Sequence, residues 1–154
     1  MTADTSLRGG QVRDAGDSIP VVLALVAESP RAAATLELAC LLARHRGARI
    51  EFVFAIPVPR TLALEAPLEE AEAAAARALA VAQQMAERYE LSVRTFTYRA
   101  RSAQRALLLA AETHHPDLVV IPSEPRPAEG DWGPVADDLV RRVPCEVIVD
   151  RLPA

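Results

Sequence analysis

The run Val21 to Ala27, VVLALVA, is apolar at every position. Successive side chains of a strand point to opposite faces, so such a run is satisfied only where both faces of a sheet are covered, as at the centre of a parallel sheet. Leu118 to Ile121 reads the same way, and so does Glu146 to Asp150 with its apolar core Val147, Ile148 and Val149. None of these runs approaches the ~20 apolar residues that span a bilayer, so no membrane insertion is expected.

The segments between them carry helical spacing. Ser29-Pro30 offers a capping hydroxyl and a proline for the first helical position; Leu36, Ala39, Cys40 and Ala43 then form one buried face up to about His45, and Gly47 closes the helix. Arg49 to Ile56 is a second strand, ended by Pro57 and Pro59. Pro67 opens a long helix with Leu68, Ala75, Leu79, Ala82, Ala86 and Tyr89 on one stripe and Glu69, Glu70 and Glu72 at its positive end. Leu91 to Tyr98 has the mixed pattern of an edge strand. Ser102 caps a helix running to about His114, with Leu107, Leu108 and Ala111 inward and Pro116 beyond its end. In the last helix Val135, Leu139 and Val143 form the stripe, and Asp137 and Asp138 stand four residues before Arg141 and Arg142.

The alternation βαβαβαβαβ predicts a single α/β domain over residues 19–154: a doubly wound, five-stranded parallel sheet with helices on both faces. Residues 1–18, rich in Gly, Asp, Ser and Thr without an apolar signal core, read as a disordered tail. Two strand orders fit, 2-1-3-4-5 and 3-2-1-4-5, and the pattern alone does not choose. A receiver domain of the first order would need acids after its first strand, an Asp after the third and a Lys after the fifth. Here stand Ala27 and Glu28, then Arg99, and the chain has no Lys.

The absence of Lys also removes Schiff-base chemistry and a Walker-type phosphate loop. A net charge of −4 and a pI near 5.4 lack the basic footprint of a nucleic-acid partner. Cys40 and Cys145 lie far apart within apolar stretches and read as buried structural thiols of a reducing, cytoplasmic protein. No catalytic set emerges, since Ser29, Ser102 and Ser123 all have capping or turn explanations. His45, His114 and His115 read as helix-end residues, and no metal site is expected. Arg99 and Arg101 beside Ser102 offer a possible anion site, against the plainer reading of a solvated basic edge with Arg105 facing out. Trp132, the one tryptophan, has three readings, a lid over the cleft, an interface anchor or, most commonly for such a residue, the one that pins a Pro-rich loop to the body.

Ligands of such folds sit outside the carboxyl ends of the strands, which directs attention to the loop after Ile121. HHPDLVVIPS and GPVADDLVRRVPCEVIVD, together with Ser29 through Ala39, resemble the corresponding segments of the universal stress protein family. The resemblance implies the order 3-2-1-4-5, a Rossmann-like, adenine-nucleotide-hydrolase-type fold. It also implies a ligand cleft at Ala27, Glu28, Ser29, Pro122, Ser123, Gly133, Pro134 and Val135. Nucleotide-binding members carry an Asp where Ala27 stands and a Gly where Glu28 stands. Their phosphate loop has glycines at the positions of Pro122, Pro125 and Gly133, and a hydroxyl where Pro134 stands, in a loop here two residues shorter. A glycine backbone can turn its N–H onto phosphate oxygens, and proline has no N–H to turn. Losing two or three such hydrogen bonds weakens phosphate binding by roughly 10² to 10⁵-fold, and Glu124, Glu129 and Asp131 add repulsion against a lone Arg126. ATP is therefore not expected as a cofactor. The expectation is a non-catalytic, cytoplasmic regulatory or stress-response module. An adenine-nucleotide binder with slow ATP hydrolysis and a soluble regulatory partner of a membrane transporter stay open as alternatives. The resemblance and the apolar core Val147, Ile148 and Val149 both point to a homodimer through the last strand, which would lie at the sheet edge.

Overall fold

The computed structural model describes residues 19–28, 32–123 and 141–151. All five residues of β1 (Val21–Leu25) are buried. The strand pairs in parallel with β2 (Arg49–Pro57) on one side and β4 (Leu118–Ser123) on the other. β3 (Val93–Ala100) lies outside β2 and β5 (Glu146–Arg151) outside β4, giving the order β3-β2-β1-β4-β5. Long-range pairing thus selects the order that the apolar pattern left undecided.

Each face of the sheet has its own core. Val22, Ala24, Ile50, Phe52, Leu118 and Val120 meet α1 (Ala33–Arg46) and α2 (Glu69–Arg88) through Leu36, Ala39, Cys40, Ala43, Leu79, Ala82 and Ala86. The intervening residues Leu23, Leu25, Val53, Val119 and Ile121 meet α3 (Ala103–His114) through Leu107, Leu108, Ala110 and Ala111, joined by Val143. The buried faces of α1 and α3 and the Ala75, Leu79, Ala82 and Ala86 stripe of α2 are those that the spacing predicts, whereas Leu68 and Tyr89 flank α2 and are only partly buried. Of the last helix, Arg141 and Arg142 are helical; Trp132, Val135, Asp137, Asp138 and Leu139 lie outside the described residues, as do the tail 1–18 and the Ser29-Pro30 cap.

Boundaries differ from expectation where local backbone geometry intervenes. α2 begins at Glu69, two residues after Pro67, because Leu68 is non-helical (φ −129°) and its carbonyl takes the first helical N–H, from Glu72 at 2.8 Å. β3 begins at Val93, not Leu91, because Glu90 turns into the left-handed region (φ 59°) and the Leu91 N–H returns to the Ala86 carbonyl at 3.1 Å. β1 ends at Leu25 rather than Ala27. Cys40 is fully buried and Cys145 only partly, contrary to the expectation for the latter; both are free. Burial pushes each thiol up to about 11.

Among the described residues the buried polar side chains are Thr35 and Glu51. Thr35 Oγ1 donates to Asp150 Oδ2 at 2.8 Å, and Arg46 reaches Glu146 at 2.8 Å, so α1 grips β5 near both of its ends. Ile148, between them, packs on the first core, while Val147 joins the second and Val149 remains 39% exposed. Glu51, 2% exposed on β2, is met by Arg49 Nε at 3.4 Å and His114 Nδ1 at 3.0 Å. Burial alone would push its carboxyl up; His114, with Arg49, outweighs this and holds it below the usual value.

Two outcomes follow from this packing. Gly47 closes α1 at φ 63°, donating to Arg44 O at 3.2 Å, and an added Cβ there would meet nothing within 4 Å. The cost of Gly47→Ala is therefore conformational only, about 1 kcal/mol, read as a lower urea midpoint; an unchanged midpoint would show that the left-handed turn is not required. A carboxyl with a lowered folded-state pKa contributes stability above its ordinary value, 4.5, and loses that contribution as pH falls through the lowered value. The stability gap between the wild-type chain and Glu51→Gln should accordingly be constant above that pH and shrink on acidification below it. A gap that does not change with pH would contradict the pairing.

Candidate functional site

β1 and β4 are neighbours in the sheet, and the helices that cover their two faces come from opposite directions in the chain. Such a topological switch point is where open α/β sheets bind ligands. The β1–β4 ladder stops at Ala24–Val120. β1 stays joined to β2 one step further, through Val26 N–H to Val53 O at 2.9 Å, while β4 keeps pairing with β5 as far as Ser123–Arg151. The sheet therefore parts between Leu25 and Ile121, and the parting leads up to Pro122. Pro122 is buried and pairs in register with Asp150, whose carboxylate holds Thr35. A residue at this point of β4 that kept its N–H could turn it into the cleft; proline has none.

The opposite lip is formed by Ala27 and Glu28. Ala27 is half-buried and brings no polar group, while Glu28 is exposed and pairs with Arg77 of α2 at 3.2 Å. Both partners are more than half exposed, so the pair contributes little to stability. Its relevance is electrostatic, since it sets a carboxylate where an anionic ligand would enter. The structure thus brings Ala27, Glu28, Pro122 and the backbone of Ser123 to one end of the sheet. Ser29, Gly133, Pro134 and Val135 lie outside the described residues. Among the described residues no group of three His, Cys, Asp or Glu is placed to hold a metal ion, and no helix is long and apolar enough to cross a membrane.

Arg99, Arg101 and Ser102 are adjacent at the end of β3 and the start of α3, but their groups are engaged within the chain. Arg99 Nε donates to Leu64 O at 2.9 Å, its Nη1 meets Glu72 at 2.6 Å, and its Nη2 meets Ala66 O. Arg101 Nη1 donates to Pro59 O at 2.7 Å and to Leu62 O at 2.8 Å. Together they pin the 59–66 segment across the sheet edge. Ser102 caps α3 as expected, its Oγ accepting from Arg105 N–H at 3.1 Å, and Arg105 faces out.

A second constellation escapes sequence reading. His114 ends α3, and its ring does more than face the helix dipole. Its Nδ1 side lies against Glu51, its Nε2 is 2.7 Å from the Tyr98 hydroxyl, and the Phe96 ring lies 4.3 Å away. The available signal was Glu51 itself, an acid at an inward position of RIEFVFAI, since a buried carboxylate requires partners.

The sequence and fold have clear counterparts. The family model described as the universal stress protein family matches residues 19–151. No curated protein matches the chain. Among solved structures, a universal stress protein from Archaeoglobus fulgidus is 22% identical with a TM-score of 0.67, the match covering 88% of this chain and 99% of that one. A structure of the universal stress protein from Archaeoglobus fulgidus in complex with dAMP is 20% identical, TM-score 0.65, over 88% and 98% of the two chains. A universal stress protein family protein from Arabidopsis thaliana with AMP bound is 11% identical, TM-score 0.64, over 88% and 93%. At such identities these likenesses carry the fold, the five-stranded parallel sheet in the order 3-2-1-4-5. With the family model spanning all the described residues, the chain belongs to the universal stress protein family.

Proposed function

We propose that the chain is a non-catalytic regulatory module of the cytoplasmic stress response, one that keeps the family fold without a family-type ATP site and works as a homodimer through β5. The observation that carries the first part is Pro122, buried at the point where β1 and β4 part. It stands where nucleotide-binding members have a glycine N–H, and Pro125 and Pro134 continue the substitution in sequence. Glu28 at the opposite lip adds a negative charge, only partly offset by Arg77. The proteins from Archaeoglobus fulgidus and Arabidopsis thaliana with dAMP and AMP bound support the second reading, an adenine-nucleotide binder using the same cleft. The two readings differ in affinity. Isothermal titration with Mg-ATP should show no binding tighter than millimolar, and a micromolar constant would establish the nucleotide binder instead.

The dimer rests on how β5 is presented. It is an edge strand, and the acids that would guard such an edge, Glu146 and Asp150, are turned to Arg46 and Thr35 of α1. Among the described residues no strand pairs with β5 on its outer side, and Val149 stays exposed there. Antiparallel pairing of two copies of β5 about a two-fold axis would satisfy both in a closed assembly. Ile148 packs on the core of its own chain, so Val149 is the cleaner probe. Val149→Lys should run as a monomer in light scattering at micromolar concentration with an unchanged circular dichroism spectrum, the wild-type chain being a dimer. A monomeric wild-type chain, or a dimeric variant, would overturn this interface.

A further inference from the structure

The chain has two tyrosines, and their hydroxyls face opposite chemistry. Tyr89 donates to the Glu37 carboxylate at 3.0 Å, a hydrogen bond that holds its phenol less acidic than usual. The Tyr98 hydroxyl lies 2.7 Å from His114 Nε2. Which ring nitrogen carries the hydrogen follows from the other side of the ring. Glu51 Oε1 stands 3.0 Å from Nδ1, within ion-pair distance but outside hydrogen-bond geometry, and has no other partner. A carboxylate beside Nδ1 keeps the hydrogen there and leaves the Nε2 lone pair to accept from Tyr98.

We propose that Tyr98 is a base-activated phenol, a site at which the chain takes up one acyl group from a small activated ester. A hydroxyl, a base within hydrogen-bond reach and a third group orienting that base is the arrangement that activates side-chain nucleophiles, tyrosine included. Every part is held. Glu51 is 2% exposed and tied to Arg49, Phe96 lies against the imidazole, and the His114 side chain is 12% exposed. Tyr98 is half-buried on β3, which among the described residues is an edge strand with no strand beyond it, so the shielded relay ends at the rim of the sheet. Rival nucleophiles are few: there is no Lys, and Cys40 and Cys145 are both pushed by burial toward the unreactive thiol form.

In the transfer, the phenol oxygen bonds to the ester carbonyl carbon while its proton passes to His114 Nε2, and Glu51 balances the imidazolium charge. The bond from that carbon to the leaving oxygen then breaks, the leaving alkoxide or phenoxide departs with the electron pair, and the proton on Nε2 is lost to it or to solvent. Tyr98 is left as an aryl ester. The reaction is stoichiometric and asks nothing of the cleft between β1 and β4, so it stands whether or not that cleft takes a nucleotide. His114 and Glu51 act through Tyr98 and are positioning and base groups for it.

The test uses the full chain with p-nitrophenyl acetate and peptide mass mapping, Tyr89 serving as the reference in the same molecule. General-base assistance contributes about 10² or more, so Tyr98 should be acetylated about a hundredfold faster than Tyr89. Equal rates in the wild-type chain overturn the proposal without any variant. His114→Gln should bring Tyr98 down to the Tyr89 rate and leave Tyr89 unchanged, with the fold checked by circular dichroism; undiminished labelling of Tyr98 in that variant would also overturn it. If His114→Gln does not fold, Tyr98→Phe decides, since it should abolish the fast acetylation and a fast acetylation that persists sinks the assignment. Glu51→Gln should shift the pH profile of Tyr98 labelling while that of Tyr89 stays in place, and coincident profiles in the two chains would remove Glu51 from the relay.

Discussion

Everything in this molecule depends on β1 being covered on both faces. Val22 and Ala24 look into one core, Leu23 and Leu25 into the other, and all are essentially inaccessible to solvent. Burying a Val or Leu side chain is worth about 1.5 to 3 kcal/mol, so one short strand anchors both layers of helices. The arrangement also limits where a cleft can form. A strand closed on both faces and paired on both edges is open only at its ends, and the parting of β1 from β4 after Ala24–Val120 supplies that opening.

Much of this was readable from residue order, and what was not readable has definite physical causes. Helix faces and strand runs are local periodicities, and Ala39, Cys40, Leu79, Ala82, Leu107 and Leu108 occupy the interior as their spacing requires. Strand order is a set of long-range pairings that periodicity does not encode, and it came from the family resemblance. The starts of α2 and β3 moved because Leu68 and Glu90 adopt backbone angles that their side chains do not announce. Arg99 and Arg101 illustrate a further limit. They were readable as basic residues, but their partners are the carbonyls of Leu64, Ala66, Pro59 and Leu62, which every residue possesses. For the cleft, the signals were residue identities, Pro122 and Glu28 above all, and the structure adds the broken ladder that gives those identities a location.

The paired acids show how carboxylates serve two ends. Asp150, at the edge, accepts from the Thr35 hydroxyl and the exposed Glu146 pairs with Arg46, so both acids of β5 are engaged by α1 while Val149 lies at the rim. Glu51, at the centre of β2, cannot be drawn outward, so partners come to it: Arg49 from its own strand and His114 from the end of α3. A buried carboxylate without such partners would be strongly destabilising. His114 is thereby committed on one side of its ring, and only the other remains for Tyr98.

Glu51 and Tyr98 sit on β2 and β3, whereas Pro122 and Val149 sit on β4 and β5, with β1 between the two pairs. Interiors packed at close to crystalline density transmit strain, and coupling between sites is carried by elements with two alternative arrangements; β1 is buried throughout and paired on both sides. A perturbation at the β5 edge can reach the α3 side of the sheet through Val147, which packs on the same core as Phe96 and Tyr98, and the other side through α1, whose Thr35 and Arg46 hold β5 and whose Glu37 holds Tyr89 rather than Tyr98. The α1 route ends at Tyr89, on the opposite face of the sheet from α3, so the Val147 contact is the one that links the β5 edge to the side where the proposed phenol lies.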